Sequence, residues 1–193
     1  MVRSVLRCGV LALALAAAAC ATGPSGPVLS PAEFQQRYPA AYGALGPGDR
    51  VRIGLYGDDQ FTGEYQVGTD GRISLPLLGP IEATGRDVDQ FARLLETSLT
   101  ERGLYKSPRV SVQTVSVRPI YVLGEVNTPG AFPYVPDLTV GKAAALAGGY
   151  TYRARMSAIA VRRANAAEEV MVTADQAMPL APGDTVRVLE RHF

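Results

Sequence analysis

Residues able to do covalent or metal chemistry are few in this chain of 193 residues, and they are badly spaced for it. The one histidine, His192, sits beside the terminal Phe193. A nucleophile, imidazole and carboxylate working together need a His held rigidly, which a fraying end does not provide. Both cysteines, Cys8 and Cys20, fall within the first twenty residues, so no Cys/His set of zinc-binding type is available. Asp58-Asp59 and the Asp87/Asp89 pair are neighbouring carboxylates, whereas glycoside hydrolysis needs two carboxyls flanking one bond. They read as turn residues and a helix cap. Gly141-Lys142 ends like a phosphate-binding loop, but Ala143 replaces the Ser/Thr and Pro136 the first Gly. Lys142 therefore reads as a solvated helix residue. No catalytic, cofactor-binding or metal-binding residue is assigned, no cofactor is expected, and the chain is not expected to be an enzyme.

The formal net charge is +1, with 17 Arg and 2 Lys scattered rather than clustered, which gives no footprint for nucleic acid. A hydrophobic content of 47% suffices for one ordinary domain or two small ones. Arg3 and Arg7 precede an apolar run over residues 9–19, too short for the roughly 20 residues a membrane span needs. Residues 1–19 read as a cleaved signal peptide. Ala17-Ala18-Ala19-Cys20 resembles the bacterial lipobox, whose Cys becomes the lipidated first residue, although Ala17 stands where Leu is usual. Cys20 is thus the candidate lipidation site. Ordinary cleavage after Ala19, leaving a free thiol, is the alternative. With Ala21 rather than Asp following, a lipidated form is expected at the periplasmic face of the outer membrane. Without a second cysteine to pair with Cys20, the mature fold must rest on its core rather than on disulfides.

The elements that follow are read from periodicity and turn residues. Residues 20–43 are expected to be a lipid-anchored tether and linker, Gly/Pro/Ser-rich at first, with one short helix from residue 31 that places Phe34 and Tyr38 on one face. Leu45-Gly-Pro-Gly-Asp49 is turn chemistry, after which Val51, Ile53 and Leu55 alternate as in a half-buried strand. Gly48 and Asp49 are assigned as structural turn residues. A strand over residues 64–67 is expected to turn at Asp70-Gly71 and return over 73–78 as a hairpin, Gly71 supplying the positive φ. Residues 87–101 carry a helical stripe of Val88, Phe91, Leu94, Leu95 and Leu99 behind an Asp87/Gln90 capping box, and 109–117 form a strand. Further strands are expected over 120–126, 158–162 and 170–173, with a helix capped by Thr139 that stops at Gly148-Gly149. Thr128-Pro129-Gly130-Ala131 predicts a type II turn with Gly130 at positive φ. Near the end, Leu180-Ala-Pro-Gly-Asp-Thr-Val-Arg-Val188 repeats Leu45–Ile53 at six of nine positions, so Gly183 and Asp184 are assigned the same turn role as Gly48 and Asp49. The whole predicts an α+β chain of two small domains.

The ordered series of motifs resembles a known family. Leu45-Gly-Pro-Gly-Asp-Arg-Val-Arg-Ile-Gly-Leu-Tyr-Gly57, Val67-Gly-Thr-Asp-Gly-Arg-Ile-Ser-Leu-Pro-Leu-Leu-Gly79 and the helix to Leu99 resemble the Wza-type polysaccharide export domain. Tyr121-Val-Leu-Gly-Glu-Val-Asn-Thr-Pro-Gly-Ala131, Leu138-Thr-Val and Leu146-Ala-Gly-Gly149 resemble the soluble-ligand-binding β-grasp (SLBB) module that follows it. The resemblance sets expected domains at residues 44–117 and 118–193. It implies a non-catalytic conduit for capsular or exopolysaccharide. The implied partners are further copies in a homo-oligomeric ring, an inner-membrane polysaccharide co-polymerase, and the polymer as transported substrate. Long family members continue into an amphipathic helix at the membrane exit. Five residues follow Val188 here, so the chain resembles the short form, and a separate outer-membrane β-barrel is the expected exit. The competing expectation is a monomeric periplasmic sugar-binding module.

Overall fold

The computed structural model describes residues 26–191. The signal segment, Cys20 and the His192-Phe193 end lie outside them.

The described chain begins with a short helix, α1 (Pro31–Arg37), closed at its start by a capping box between Ser30 and Glu33. The first unit follows. Its strand β1 (Arg50–Leu55) buries Val51, Ile53 and Leu55 and exposes Arg50 and Arg52, the alternation that a one-sided sheet imposes. β1 is the centre of an antiparallel sheet ordered β2-β1-β5, with β2 at Asp58–Gln66 and β5 at Val110–Ser116. Helix α2 (Val88–Glu101) turns Phe91, Leu95 and Leu99 into the core that holds Val51, Ile53, Leu55 and Phe61. Burying each of these side chains contributes about 1.5–3 kcal/mol. The helix starts where the sequence places it: Asp87 accepts from the Gln90 N–H at 2.7 Å, and Gln90 Oε1 accepts from the Asp87 N–H at 3.2 Å.

The expected hairpin at Gly71 does not form between the strands it was meant to join. β2 spans nine residues and pairs with β1. β3 (Arg72–Leu75) pairs instead with β4 (Gly79–Glu82) in a separate two-stranded ribbon. Asp58 and Asp59 likewise open β2 rather than lie in a turn. The physical reason lies in the tip of the β1/β2 hairpin, where Tyr56-Gly57 closes the loop with Gly57 at φ +87°. That early reversal commits β2 to β1 before residue 70 is reached.

The second unit is a mixed sheet ordered β7-β6-β10-β8-β9. Its strands are β6 (Ile120–Gly124), β7 (Gly130–Phe132), β8 (Ala154–Arg162), β9 (Val170–Thr173) and β10 (Thr185–Glu190). β6 and β10 run parallel and the other neighbours antiparallel. Helix α3 (Val140–Leu146), capped by Thr139, buries Val140, Ala143 and Ala144. The architecture is therefore α+β in two units with separate cores.

The segment before the first unit belongs structurally to the second. Leu29 forms a parallel bridge to Val172, donating its N–H to Met171 and accepting from the Thr173 N–H, both at 2.9 Å. Phe34 is buried in the second core. Sequence reading treats residues 20–43 as a tether, but from Leu29 onward the chain covers the open edge of β9. An unpaired edge strand otherwise offers its backbone to any passing chain.

Candidate functional site

The two Pro-Gly-Asp segments fold as the same device. In the first, Gly48 has φ +95°, the Asp49 N–H donates to Gly46 O at 3.0 Å, and Asp49 Oδ2 accepts from the Gly46 N–H at 2.9 Å. In the second, Gly183 has φ +83°, the Asp184 N–H donates to Ala181 O at 3.1 Å, and Asp184 Oδ2 accepts from the Ala181 N–H at 2.8 Å. The left-handed glycine closes the turn at no steric cost, and the aspartate satisfies a donor that the turn would otherwise bury. β1 and β10 start directly afterwards.

Each aspartate is buried, 1% exposed at Asp49 and 0% at Asp184, and each meets one arginine. Arg118, in the link between β5 and β6, donates its backbone N–H to Asp49 Oδ1 at 2.7 Å and sets Nη1 3.5 Å from Oδ2. Arg163, just past β8, pairs with Asp184 through Nη1. Its Nε donates to Tyr38 O at 3.2 Å, and its guanidinium lies 4.9 Å from the Phe34 ring centre, a cation–π distance. Burial raises the Asp184 carboxyl above its ordinary value; Arg163 and the Ala181 N–H act in the opposite direction without offsetting it. Neither arginine was singled out from the sequence. The available signal was that a buried Asp in a repeated turn requires a cation, but arginines are too many for pattern alone to choose among.

Arg118 also joins the units. A Cβ placed on Gly46 would fall 1.3 Å from Arg118 Nη1, and one on Gly183 would lie 3.3 Å from Arg118 Cδ and Nε. The arginine thus occupies the space that glycine leaves at both turns, and its Nη2 donates to Ala44 O at 3.4 Å. The repeated turns face one another across a single side chain.

The remaining assigned residues disperse. Gly71 holds the expected left-handed conformation at φ +79°, in a turn where it donates to Gly68 O at 3.0 Å. Pro129 and Gly130 do not form a type II turn. Gly130 is in β7, paired with Val122, at an ordinary φ. The positive φ falls instead at Gly124, +81°, where β6 ends and the Val126 N–H folds back onto Gly124 O at 2.8 Å; residues 125–129 then lead to β7. Gly124 is required there because a Cβ would come 2.0 Å from Val188 O on the adjacent β10. Lys142 is exposed and donates to Asp137 O at 2.8 Å. Cys20 and His192 lie outside the described residues. Among the described residues, no group of three or more His, Cys, Asp and Glu is placed to hold a metal ion.

Two tyrosine side chains stand out in solvent among the described residues. Tyr56 at the tip of the β1/β2 hairpin is 91% exposed, and Tyr152 on the second unit 86%. Beside Tyr56 an open groove of about 570 Å³ runs over the end of β1, the middle of β2 and the start of β5.

Residues 38–115 match the family of polysaccharide biosynthesis/export proteins, and residues 119–174 match the SLBB domain. The exopolysaccharide production protein ExoF of Rhizobium meliloti (strain 1021) is 42% identical over 89 residues, 46% of this chain and 21% of that protein. The polysialic acid transport protein KpsD of Escherichia coli is 33% identical over 91 residues, 46% of this chain and 16% of that protein. The aligned part of the chain is about a fifth or less of these relatives' length.

Proposed function

We propose, for a chain that belongs to the Wza-like polysaccharide export family, that it is an exported, lipid-anchored envelope protein forming part of a conduit for capsular or exopolysaccharide. It does no covalent chemistry in this role. The observation that carries the reading is the order of the two modules, export domain then SLBB domain, on one chain and joined through Arg118. A junction pinned by the Asp49–Arg118 pair and close packing holds the units at one angle, and a repeating assembly needs such a fixed angle in every copy. No described helix is long and apolar enough to cross a membrane.

In this proposal Cys20 carries the anchor at the periplasmic face of the outer membrane, and residues 44–117 and 118–193 are the two domains. Copies close into a ring, an inner-membrane co-polymerase delivers polymer to it, and a separate β-barrel supplies the exit. Cross-linking in intact cells followed by membrane fractionation tests the assembly. Ladders of this chain in the outer-membrane fraction, lost from membranes in Cys20→Ser, are the expected result. A strictly monomeric, unanchored protein would instead support a periplasmic sugar-binding module.

A further inference from the structure

We propose that the groove beside Tyr56 is a glycan-binding subsite, an inference that rests on the conduit reading and names where a saccharide touches the chain. The groove is lined by Gly54 and Tyr56 of the β1 end, Thr62 of β2, Arg109 and Ser111 at β5, and Glu96 of α2. Its volume of about 570 Å³ is within the range of about 300–1,000 Å³ typical of small-molecule sites.

Three independent features converge on it. Gly54 interrupts a strand at an ordinary φ, so backbone conformation does not demand glycine there. Space does: a Cβ would sit 2.9 Å from Ser111 Oγ and 4.0 Å from the Thr62 side chain, on the floor of the groove. Glycine leaves that floor to the Ser111 hydroxyl, which donates to Gly54 O at 3.4 Å. The β1/β2 register shifts between Ile53 and Leu55, and such bulges recur beside functional sites, where they re-aim side chains. Third, Tyr56 stands in solvent on a hairpin tip that is held in place, because the Tyr105 hydroxyl donates to the Asp58 carboxylate and the Tyr56 N–H donates to Arg109 O at 3.1 Å.

An aromatic face next to hydroxyls, a guanidinium and a carboxylate suits a pyranose ring. The apolar C–H face of the sugar stacks on Tyr56, and its hydroxyls exchange hydrogen bonds with Ser111, Arg109 and one oxygen of Glu96, whose other oxygen accepts from the Val110 N–H at 3.0 Å. The groove is open, so contact is one-sided and the affinity weak, with Kd of about 0.1–10 mM. Weak binding is what a conduit requires, since a polymer held tightly at each site would not move on.

Saturation-transfer NMR on the full chain in detergent micelles tests this, with cellohexaose as the neutral probe and tetragalacturonate as the acidic one. Transfer to ring protons of either probe is expected. It should fall at least about five-fold in Tyr56→Ala and in Gly54→Thr, while Tyr152→Ala, at the other exposed tyrosine, leaves it unchanged. Thermal unfolding of each variant shows that the fold is kept. No transfer to either probe, or transfer abolished by Tyr152→Ala and untouched by Tyr56→Ala, overturns the subsite. Export by a deletion strain separates this outcome from failure of the conduit reading. Lost export with no transfer removes the subsite alone, whereas normal export with Tyr56-dependent transfer supports the subsite and removes the conduit role.

Discussion

Asp49 and Asp184 cap equivalent turns, yet they sit in different surroundings, and the difference sets the expected cost of losing each. The side chain of Arg163 is 2% exposed and that of Arg118 15%. Removing one partner of a buried pair leaves an uncompensated charge and costs about 3–5 kcal/mol. Asp184→Ala should therefore lower unfolding free energy in urea by about that amount, and Asp49→Ala by less, because water reaches Arg118. Equal losses at the two sites would show that the extra burial of Arg163 has no energetic consequence. The Asp184 carboxyl also has a testable sign. Burial raises its folded value above the ordinary 3.8, so the folded state binds the proton more tightly, and the stability it contributes is greatest below that value and declines as pH rises through the window above it. The stability of the wild type relative to Asp184→Asn should fall as pH rises from about 3.8, measured by urea titrations at successive pH values.

At the scale of elements, the loop after β6 makes the sharpest prediction. Gly124→Ala forces a side chain into a left-handed conformation and against Val188 O at 2.0 Å. It should destabilise the second unit by at least about 3 kcal/mol. Gly130→Val, in an antiparallel strand at ordinary φ, should change stability by less than about 1 kcal/mol. Thermal unfolding of the two variants, with the order reversed, would place the turn back at Pro129-Gly130. At helix α2, Asp87→Ala should cost about 1 kcal/mol through loss of the cap. Why some elements were legible and others not follows from range. The stripe and cap of α2, and the alternation of β1, are written in residues three, four or two apart, so sequence reading found them. β4 contains Pro80 and is only four residues long, leaving no periodicity to read. β2 opens on Asp58-Asp59, a pair that looks like a turn until the tip at Tyr56-Gly57 is known. Pro-Gly at 129–130 carries turn chemistry in isolation, but the adjacent β10 backbone selects Gly124 instead.

In the molecule as a whole, the order of the two units was legible because each carries its own turn and strand motifs. Their connection was not. The parallel pairing of β6 with β10 and the docking of Leu29 on Val172 join residues more than 60 and more than 130 positions apart, and local pattern carries no trace of such contacts. Of the candidate site, the repeated turns were legible as turns, and the sequence showed nothing of Arg163, which pairs with the second, or of Arg118, which makes the two a junction. Arg118→Ala should loosen that junction while leaving each core intact. Limited proteolysis should then cut faster near residues 116–119, and scattering profiles should show a broader distribution of maximum dimension; an unchanged profile would mean that the units are held by other contacts. The central claim, that polymer leaves the cell by way of this protein, is tested most directly by pulse-chase labelling of polysaccharide in a strain lacking the chain. Label retained in the periplasmic fraction, and reaching the medium again once the wild-type chain is restored, is the predicted result. Label reaching the medium at the normal rate without the chain would contradict it.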